Sequence, residues 1–253
     1  MTDLSAFSLE GRTIMVTGAN TGIGQGIAVA CARAGATVLG VARSDMGETM
    51  ALVEQAHGVL HAIHCALEDT AGARAMLELA WHQYSVDGLV NNAGIIRRAD
   101  ALDHTESDWD AVLGINLRTL FFLSQTFGRL ALSGGRRGKI VNIASLLSFQ
   151  GGIRVPAYAA SKHGVAGITQ ALSNEWAARG VNVNAIAPGY IESNNTQALR
   201  ADPERASAIL ARIPAARWGR PADIGDAAVF LLSAASDYIH GATIPVDGGW
   251  LAR

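Results

Sequence analysis

Seven short runs of apolar and β-branched residues punctuate the chain, at residues 13–17, 37–41, 61–65, 88–91, 139–143, 181–186 and 243–246. Polar positions hardly alternate within them, which predicts strands covered on both faces, as in a parallel sheet. Between most of these runs lie longer segments with apolar residues at helical spacing: 22–34, 71–84, 106–132, 156–179 and 221–232. Thr105 precedes Glu106 and Asp108, a side chain suited to cap a helix whose first turn carries acids. Strands and helices in alternation predict an α/β fold with helices on both faces of the sheet. No internal repeat, low-complexity stretch or Pro/Ser-rich linker interrupts the pattern, so residues 1–253 read as one domain. After the sixth run the pattern weakens. Residues 189–212 are polar at first and then helical, as expected of a mobile flap over a site.

Composition agrees with this picture and narrows it. The chain has 253 residues, 49% of them hydrophobic and 17% charged; this suits one large buried core and excludes a disordered chain. Its 28 glycines exceed the ~7% average, which points to tight turns or close backbone–ligand contact. A net charge of -2 with no basic run argues against nucleic acid as the main partner. No apolar stretch approaches the ~20 residues of a membrane span. The opening MTDLSAFSLEGR lacks the basic and apolar regions of a signal peptide, and Cys31 and Cys65 form no CxxC pair. A reducing, cytoplasmic setting is the expectation. The seven histidines show no ligand spacing, so no metal is expected. Lys139 and Lys162 are the only lysines, against 18 arginines.

The first predicted strand runs into Thr17-Gly18-Ala19-Asn20-Thr21-Gly22-Ile23-Gly24 and then into a helix. Glycines at this Gly-x3-Gly-x-Gly spacing permit a tight turn and a close backbone approach. The amides that open the helix then face a diphosphate. The second strand ends in Ala42-Arg43-Ser44-Asp45. Arg43 suits a 2′-phosphate or an adenine face, and Asp45 suits a ribose hydroxyl if the loop curls back. The charge leans toward NADP, and NAD stays open.

Tyr158 and Lys162 are four residues apart at the start of a helix opened by Pro156, so they share one face. A nearby ammonium, together with a positive nicotinamide ring, favours a phenolate able to take a hydroxyl proton. Ser145 follows the fifth strand, where parallel sheets bind ligands. It lacks the nucleophile-elbow glycines and any triad spacing, which excludes serine nucleophilic catalysis. Asn116 sits among Val112, Leu113, Ile115, Leu117 and Leu120. Such an amide needs hydrogen-bond partners. It either satisfies a helix distortion or orders a water linking Lys162 to solvent.

These residues together resemble the short-chain dehydrogenase/reductase family over nearly the whole chain. The matches are the loop from Gly18 to Gly24, Asn91-Asn92-Ala93-Gly94, Asn116, Ser145, Tyr158 with Lys162, and Pro188-Gly189. The resemblance implies a single Rossmann-type doubly wound domain with a seven-stranded parallel sheet, NAD or NADP as hydride carrier, and a homotetramer. It implies Tyr158 as acid/base, Ser145 as holder of the substrate oxygen, and Asn116 as holder of a relay water. Lys162 would bind the nicotinamide ribose and lower the Tyr158 pKa. Gly18, Asn20, Thr21, Gly22, Ile23 and Gly24 would cradle the diphosphate. Asn92, Ala93 and Gly94 would back the adenosine ribose, and Pro188, Gly189 and Ile191 would line the nicotinamide. Leu67 would meet the adenine beside Ala66, which stands where the family often has Asp.

Within the family, residues 148–156, 187–190, 194–197 and 246–253 look like those of members that interconvert hydroxyl and ketone on deoxy-hexonates of the 2-deoxy-D-gluconate or 2-dehydro-3-deoxy-D-gluconate type. Those members are mostly described as NAD-dependent, against the lean from Arg43. A sugar-acid substrate carries a carboxylate, for which Arg154 is the first candidate and Arg97 or Arg98 the second. Asn194, Asn195 and Gln197 offer amides to hydroxyls, and Trp250 and Arg253 are candidates for contact with a neighbouring subunit. Gluconate 5-dehydrogenase and 3-oxoacyl-carrier-protein reductase are the alternative enzymes. A non-catalytic dinucleotide sensor is the alternative of another class, and the presence of both Tyr158 and Lys162 argues against it.

Overall fold

In the computed structural model the described residues are 4–252, with Asn195 described by its backbone alone; Arg253 lies outside them. Seven strands form one sheet: β1 (Thr13–Thr17), β2 (Thr37–Ala42), β3 (Val59–His64), β4 (Gly88–Asn91), β5 (Gly138–Ile143), β6 (Val181–Pro188) and β7 (Thr243–Val246). Their order is β3-β2-β1-β4-β5-β6-β7, and every pairing is parallel. The helices are α1 (Gly22–Arg33), α2 (Gly47–Gln55), α3 (Thr70–Tyr84), α4 (Glu106–Leu113), α5 (Leu120–Ser133), α6 (Pro156–Trp176), α7 (Gln197–Arg200), α8 (Pro203–Leu210) and α9 (Pro221–Leu232). The strand order reverses between β1 and β4, and in such sheets the crevice at that switch point is where ligands bind.

Alternate residues of the strands point to opposite faces, and this divides the core in two. Ile14 and Val16 pack with Ile27, Ala28 and Cys31 of α1 and with Ile224, Ala228 and Leu231 of α9. Met15, between them, packs on the other face with Leu77 and Trp81 of α3, Leu123 and Phe127 of α5, and Trp176 of α6. Two buried amides cross the middle of the sheet. Asn91 donates to Asn142 Oδ1 at 2.9 Å and to Ser124 Oγ at 3.0 Å, and Asn142 donates to Thr169 Oγ1 at 3.0 Å. The chain thus ties β4 and β5 to α5 and α6, and the C-terminal ends of these strands are fixed relative to both helices.

Several local expectations change. β3 begins two residues before the predicted run and β7 keeps its predicted span, but both are sheet edges and partly exposed rather than covered on both faces. α2 has no counterpart in the apolar pattern, since among its nine residues only Thr49 and Val53 are buried. The predicted helix over 106–132 is interrupted: α4 ends at Leu113, and a wider π-helical segment, Gly114–Thr119, precedes α5. Thr105 caps α4 as the spacing predicts, accepting from Asp108 N at 3.1 Å. Residues 189–212 carry a 3-10 turn (Asn194–Thr196), α7 and α8. Ile209 and Leu210 of α8 pack against Leu146, Ile213, Tyr190 and Trp250, which anchors this segment at its far end. Among the described residues no helix is long and apolar enough to cross a membrane.

Candidate active site

The turn after β1 is held by backbone geometry that a side chain would break. Gly18 has φ +67°, and its amide donates to Val41 O at 2.7 Å. A Cβ on Gly24 would stand 2.0 Å from Gly18 O and 2.4 Å from Asn92 Nδ2. The turn is locked to the end of β4 from the other side. Thr17 Oγ1 accepts from the amides of Asn92 (3.0 Å) and Ala93 (3.1 Å), while Asn92 Nδ2 donates to Thr17 O at 2.9 Å. The opening amides of α1 are therefore presented, without side chains in the way, to a cavity of about 430 Å³. Its walls include Gly18, Asn20, Thr21, Gly22, Ile23 and Gly24, then Arg43, Leu67, Asn92, Ala93 and Gly94, and at one end Tyr158 and Lys162. Helix-opening amides and two cations around a cleft at the sheet's switch point fit an anionic dinucleotide.

The reacting end is built by β5 and α6. Ser145 caps the 3-10 turn Leu146–Ser148 just beyond β5, accepting from Leu147 N at 3.2 Å. Its hydroxyl also lies beside the Tyr158 phenol and favours the phenol's charged form. Lys162, buried one turn further along α6, donates from Nζ to Ile143 O at 2.6 Å and lies 5.5 Å from the Tyr158 ring centroid. Burial pushes its ammonium down to about 8. Burial also pushes the half-buried Tyr158 phenol above its ordinary range, while the Ser145 hydroxyl and the Arg98 guanidinium pull it back. Desolvation outweighs the neighbouring charge, and the ammonium is directed at a carbonyl rather than at the phenol.

Asn116 is fully buried in the π-helical segment. Its Oδ1 accepts from Ile95 N at 2.8 Å, and its Nδ2 donates to Ile95 O at 2.9 Å and to Ser161 Oγ at 3.3 Å. Ser161 Oγ in turn donates to Tyr158 O at 2.8 Å. Asn116 therefore pins the loop beyond β4 against the backbone that carries Tyr158. π-Helical bulges concentrate at functional sites, and here the wider turn delivers one amide to two elements.

Of the remaining predicted residues, Asn194 lines the first cavity, and Pro188, Gly189, Ile191 and Arg154 do not. Pro188 pairs with Val246, and Ile191 is buried in the core; Ile191 lines a second cavity, of about 280 Å³, with Tyr190 and Asp247. Neither Pro188, Gly189 nor Ile191 belongs to the walls of the first cavity. Arg154, at φ +63°, is exposed and pairs with Asp100 at 3.0 Å outside those walls. Arg97 pairs with Asp108 at 3.3 Å. Asn194 lines the first cavity and donates to Thr21 Oγ1 at 3.2 Å, so it sits against the glycine turn. Gln197 opens α7, and the Asn195 side chain lies outside the described residues. Trp250, considered for a subunit contact, is buried within its own chain. It donates to Gln150 Oε1 at 3.2 Å, and the Arg212 guanidinium lies 4.0 Å from its ring centroid. Apolar neighbours and a local acceptor satisfy it there. Glu68, Cys65, Ile95 and Ser193 also line the first cavity and were not singled out by the sequence pattern. Only Glu68, an acid just past the third strand, carries a readable signal. Among the described residues no group of three or more His, Cys, Asp or Glu side chains could hold a metal ion.

Known proteins place this geometry in a family. A family model described as enoyl-(acyl carrier protein) reductase matches residues 18–251. A 2-dehydro-3-deoxy-D-gluconate 5-dehydrogenase from Dickeya dadantii (strain 3937) is 52% identical over 251 residues, covering 99% of both chains. One of the same name from Bacillus subtilis (strain 168) is 53% identical over 249 residues, covering 98% of both. A crystal structure with bound NADP, of an Agrobacterium tumefaciens protein provisionally assigned as a 2-deoxy-D-gluconate 3-dehydrogenase, is 59% identical. It superposes with a TM-score of 0.95 over 98% of this chain and 99% of that one. With such identity sustained from the glycine turn to the C-terminal segment, the chain belongs to the short-chain dehydrogenase/reductase family.

Proposed function

We propose that the protein is a dehydrogenase that interconverts a hydroxyl and a ketone on a deoxy-hexonate, with NAD or NADP as its partner in hydride transfer. The observation that carries this reading is the shared wall: Tyr158 and Lys162 line the same cavity as the glycine turn. The names of the Dickeya and Bacillus relatives and the NADP in the Agrobacterium structure support the substrate class and the cofactor.

When bound, the nicotinamide ring supplies the two-electron acceptor or donor. The chain's own residues handle the proton and the geometry. Ser145 Oγ holds the substrate oxygen beside the Tyr158 phenol. As the phenolate, which the Lys162 ammonium and a positive nicotinamide ring would favour, Tyr158 would take the hydroxyl proton while the carbon gives up hydride and the carbonyl forms; as the phenol it would return that proton when the ketone is reduced. Lys162, anchored on Ile143 O, supplies positive charge beneath the phenol and a donor for the nicotinamide ribose. Gly18 to Gly24 hold the diphosphate, Arg43 and Leu67 the adenosine end, and Asn92, Ala93 and Gly94 the ribose behind it. The relay water on Asn116 and the substrate contacts of Arg154 and Asn194 belong to the same proposal. So do the contacts of Pro188, Gly189 and Ile191 with the nicotinamide. A homotetramer also belongs to it, supported by the uncovered groove where α4, the π-helical segment and α5 meet α6. Leu113, Leu117, Phe121, Phe122 and Ile168 line that groove. A cytoplasmic setting is supported by the free thiols of Cys31 and Cys65.

The test is the near-ultraviolet absorbance of NADH and NADPH mixed with the enzyme and a deoxy-hexonate ketone, with acetoacetyl thioesters as the competing substrate class. Turnover of the sugar acid is expected, and turnover of thioesters alone would replace this reading with a carrier-protein reductase. Tyr158→Phe is expected to lower kcat by roughly 10²–10⁴-fold while leaving the fluorescence-measured Kd for the dinucleotide nearly unchanged. Retained turnover would remove Tyr158 from the proton step.

A further inference from the structure

β2 and β3 are adjacent and parallel, with Ala42 opposite His64. Residues just beyond both strands therefore emerge side by side at the adenosine end of the first cavity. Arg43 is the first residue past β2, and its guanidinium forms an ion pair with the Glu68 carboxylate. His64 Nε2 bonds the Arg43 carbonyl at 2.9 Å, which fixes the backbone from which the guanidinium extends. Among the described residues that line this cavity, Arg43 and Lys162 are the cations and Glu68 is the acid. Lys162 belongs to the other end, on Ile143. Asp45, the acid nearest Arg43 in sequence, is occupied in accepting from Gly47 N at 3.0 Å. The adenosine end thus contains one cation and one anion, already joined.

We propose that Glu68 sets the balance between NADP and NAD by competing with the 2′-phosphate for Arg43. This rests on the dinucleotide reading of the cavity given above. A neutral 2′-hydroxyl leaves the ion pair undisturbed. A 2′-phosphate carries nearly two negative charges at neutral pH, needs the guanidinium fork for itself, and meets the Glu68 carboxylate beside it. Both partners are substantially solvent-exposed, with side-chain exposures of 61% and 46%. Exposed pairs of this kind are weak, so Glu68 attenuates NADP binding without preventing it.

The experiment uses the full-length protein and titrates NADPH and NADH by nicotinamide fluorescence. Adenosine 2′,5′-bisphosphate and 5′-AMP are titrated by calorimetry as probes that differ only in the 2′-phosphate. Glu68→Gln is expected to tighten NADPH and the bisphosphate by roughly two- to fivefold, with NADH and 5′-AMP essentially unchanged. In an Arg43→Ala background the gain from Glu68→Gln should shrink markedly, because the contested partner is gone. NADPH affinity that is unchanged in Glu68→Gln, or NADPH and NADH shifting in the same proportion, would overturn the proposal alone. Failure of the wild-type protein to bind either dinucleotide would overturn it together with the reading on which it rests.

Discussion

A buried lysine opposes folding as long as it carries its charge. Lys162 is held at about 8 by burial, well below the ordinary lysine value of 10.5 that it regains in the unfolded chain. Between those values the folded protein binds fewer protons than the unfolded chain, so stability rises with pH across that window. Below it the ammonium is retained, and its desolvation counts fully against folding, on the order of 3 kcal/mol. Lys162→Met should therefore be more stable than the wild type near pH ~7 and lose that advantage near pH ~10, read from urea unfolding of the cofactor-free protein. An advantage of equal size at both pH values contradicts this. Keeping so unfavourable a group makes sense where a cation is needed beside a phenol. That the two side chains share one cavity was legible from a four-residue spacing, whereas the raised Tyr158 pKa was not. Spacing places a charge near a group, but only packing says how much water has been removed from it.

At the scale of elements, β1, β4 and β7 and helix α9 fall where the apolar pattern puts them, because their burial is nearly complete or their ends are marked by turn residues. The segment 106–132 reads as one helix because its apolar spacing runs on through the break. Asn116 disrupts it for a reason outside the helix. Its amide is claimed by both backbone groups of Ile95, twenty-one residues earlier, and by Ser161 on α6. Asn116→Ala would leave the Ile95 N–H and C=O without these partners in a partly buried setting, at a cost of about 1–3 kcal/mol for each group. The unfolding free energy is expected to fall by about 2–5 kcal/mol, with a larger loss in kcat than in dinucleotide affinity, since Tyr158 is the residue whose backbone is steadied. An unchanged urea midpoint would show that the amide is not what holds the π-helical segment.

At the scale of the whole molecule, the fold brings the glycine turn, Tyr158 and Lys162, from opposite halves of the chain, to one cavity at the sheet's switch point. It also leaves, where the π-helical segment and α5 meet α6, a groove whose lining includes Leu117, Phe121 and Ile168 and which the rest of the chain does not cover. If two copies pair across that groove and two such pairs join, sedimentation equilibrium should give four times the chain mass of 26.4 kDa, and Phe121→Asp should reduce it. A monomer at micromolar concentration would sink the tetramer. By itself the sequence determined the strand–helix alternation, the glycine turn and the Tyr158–Lys162 pair, because these depend on local periodicity and on residues a few positions apart. Only the tertiary structure decided that Arg43 meets Glu68, that Arg154 turns to Asp100, that Asn194 faces Thr21 and that Trp250 stays within its own chain. Each of those is a choice among several charged or polar partners distant in sequence, and the choice is made by strand order and burial.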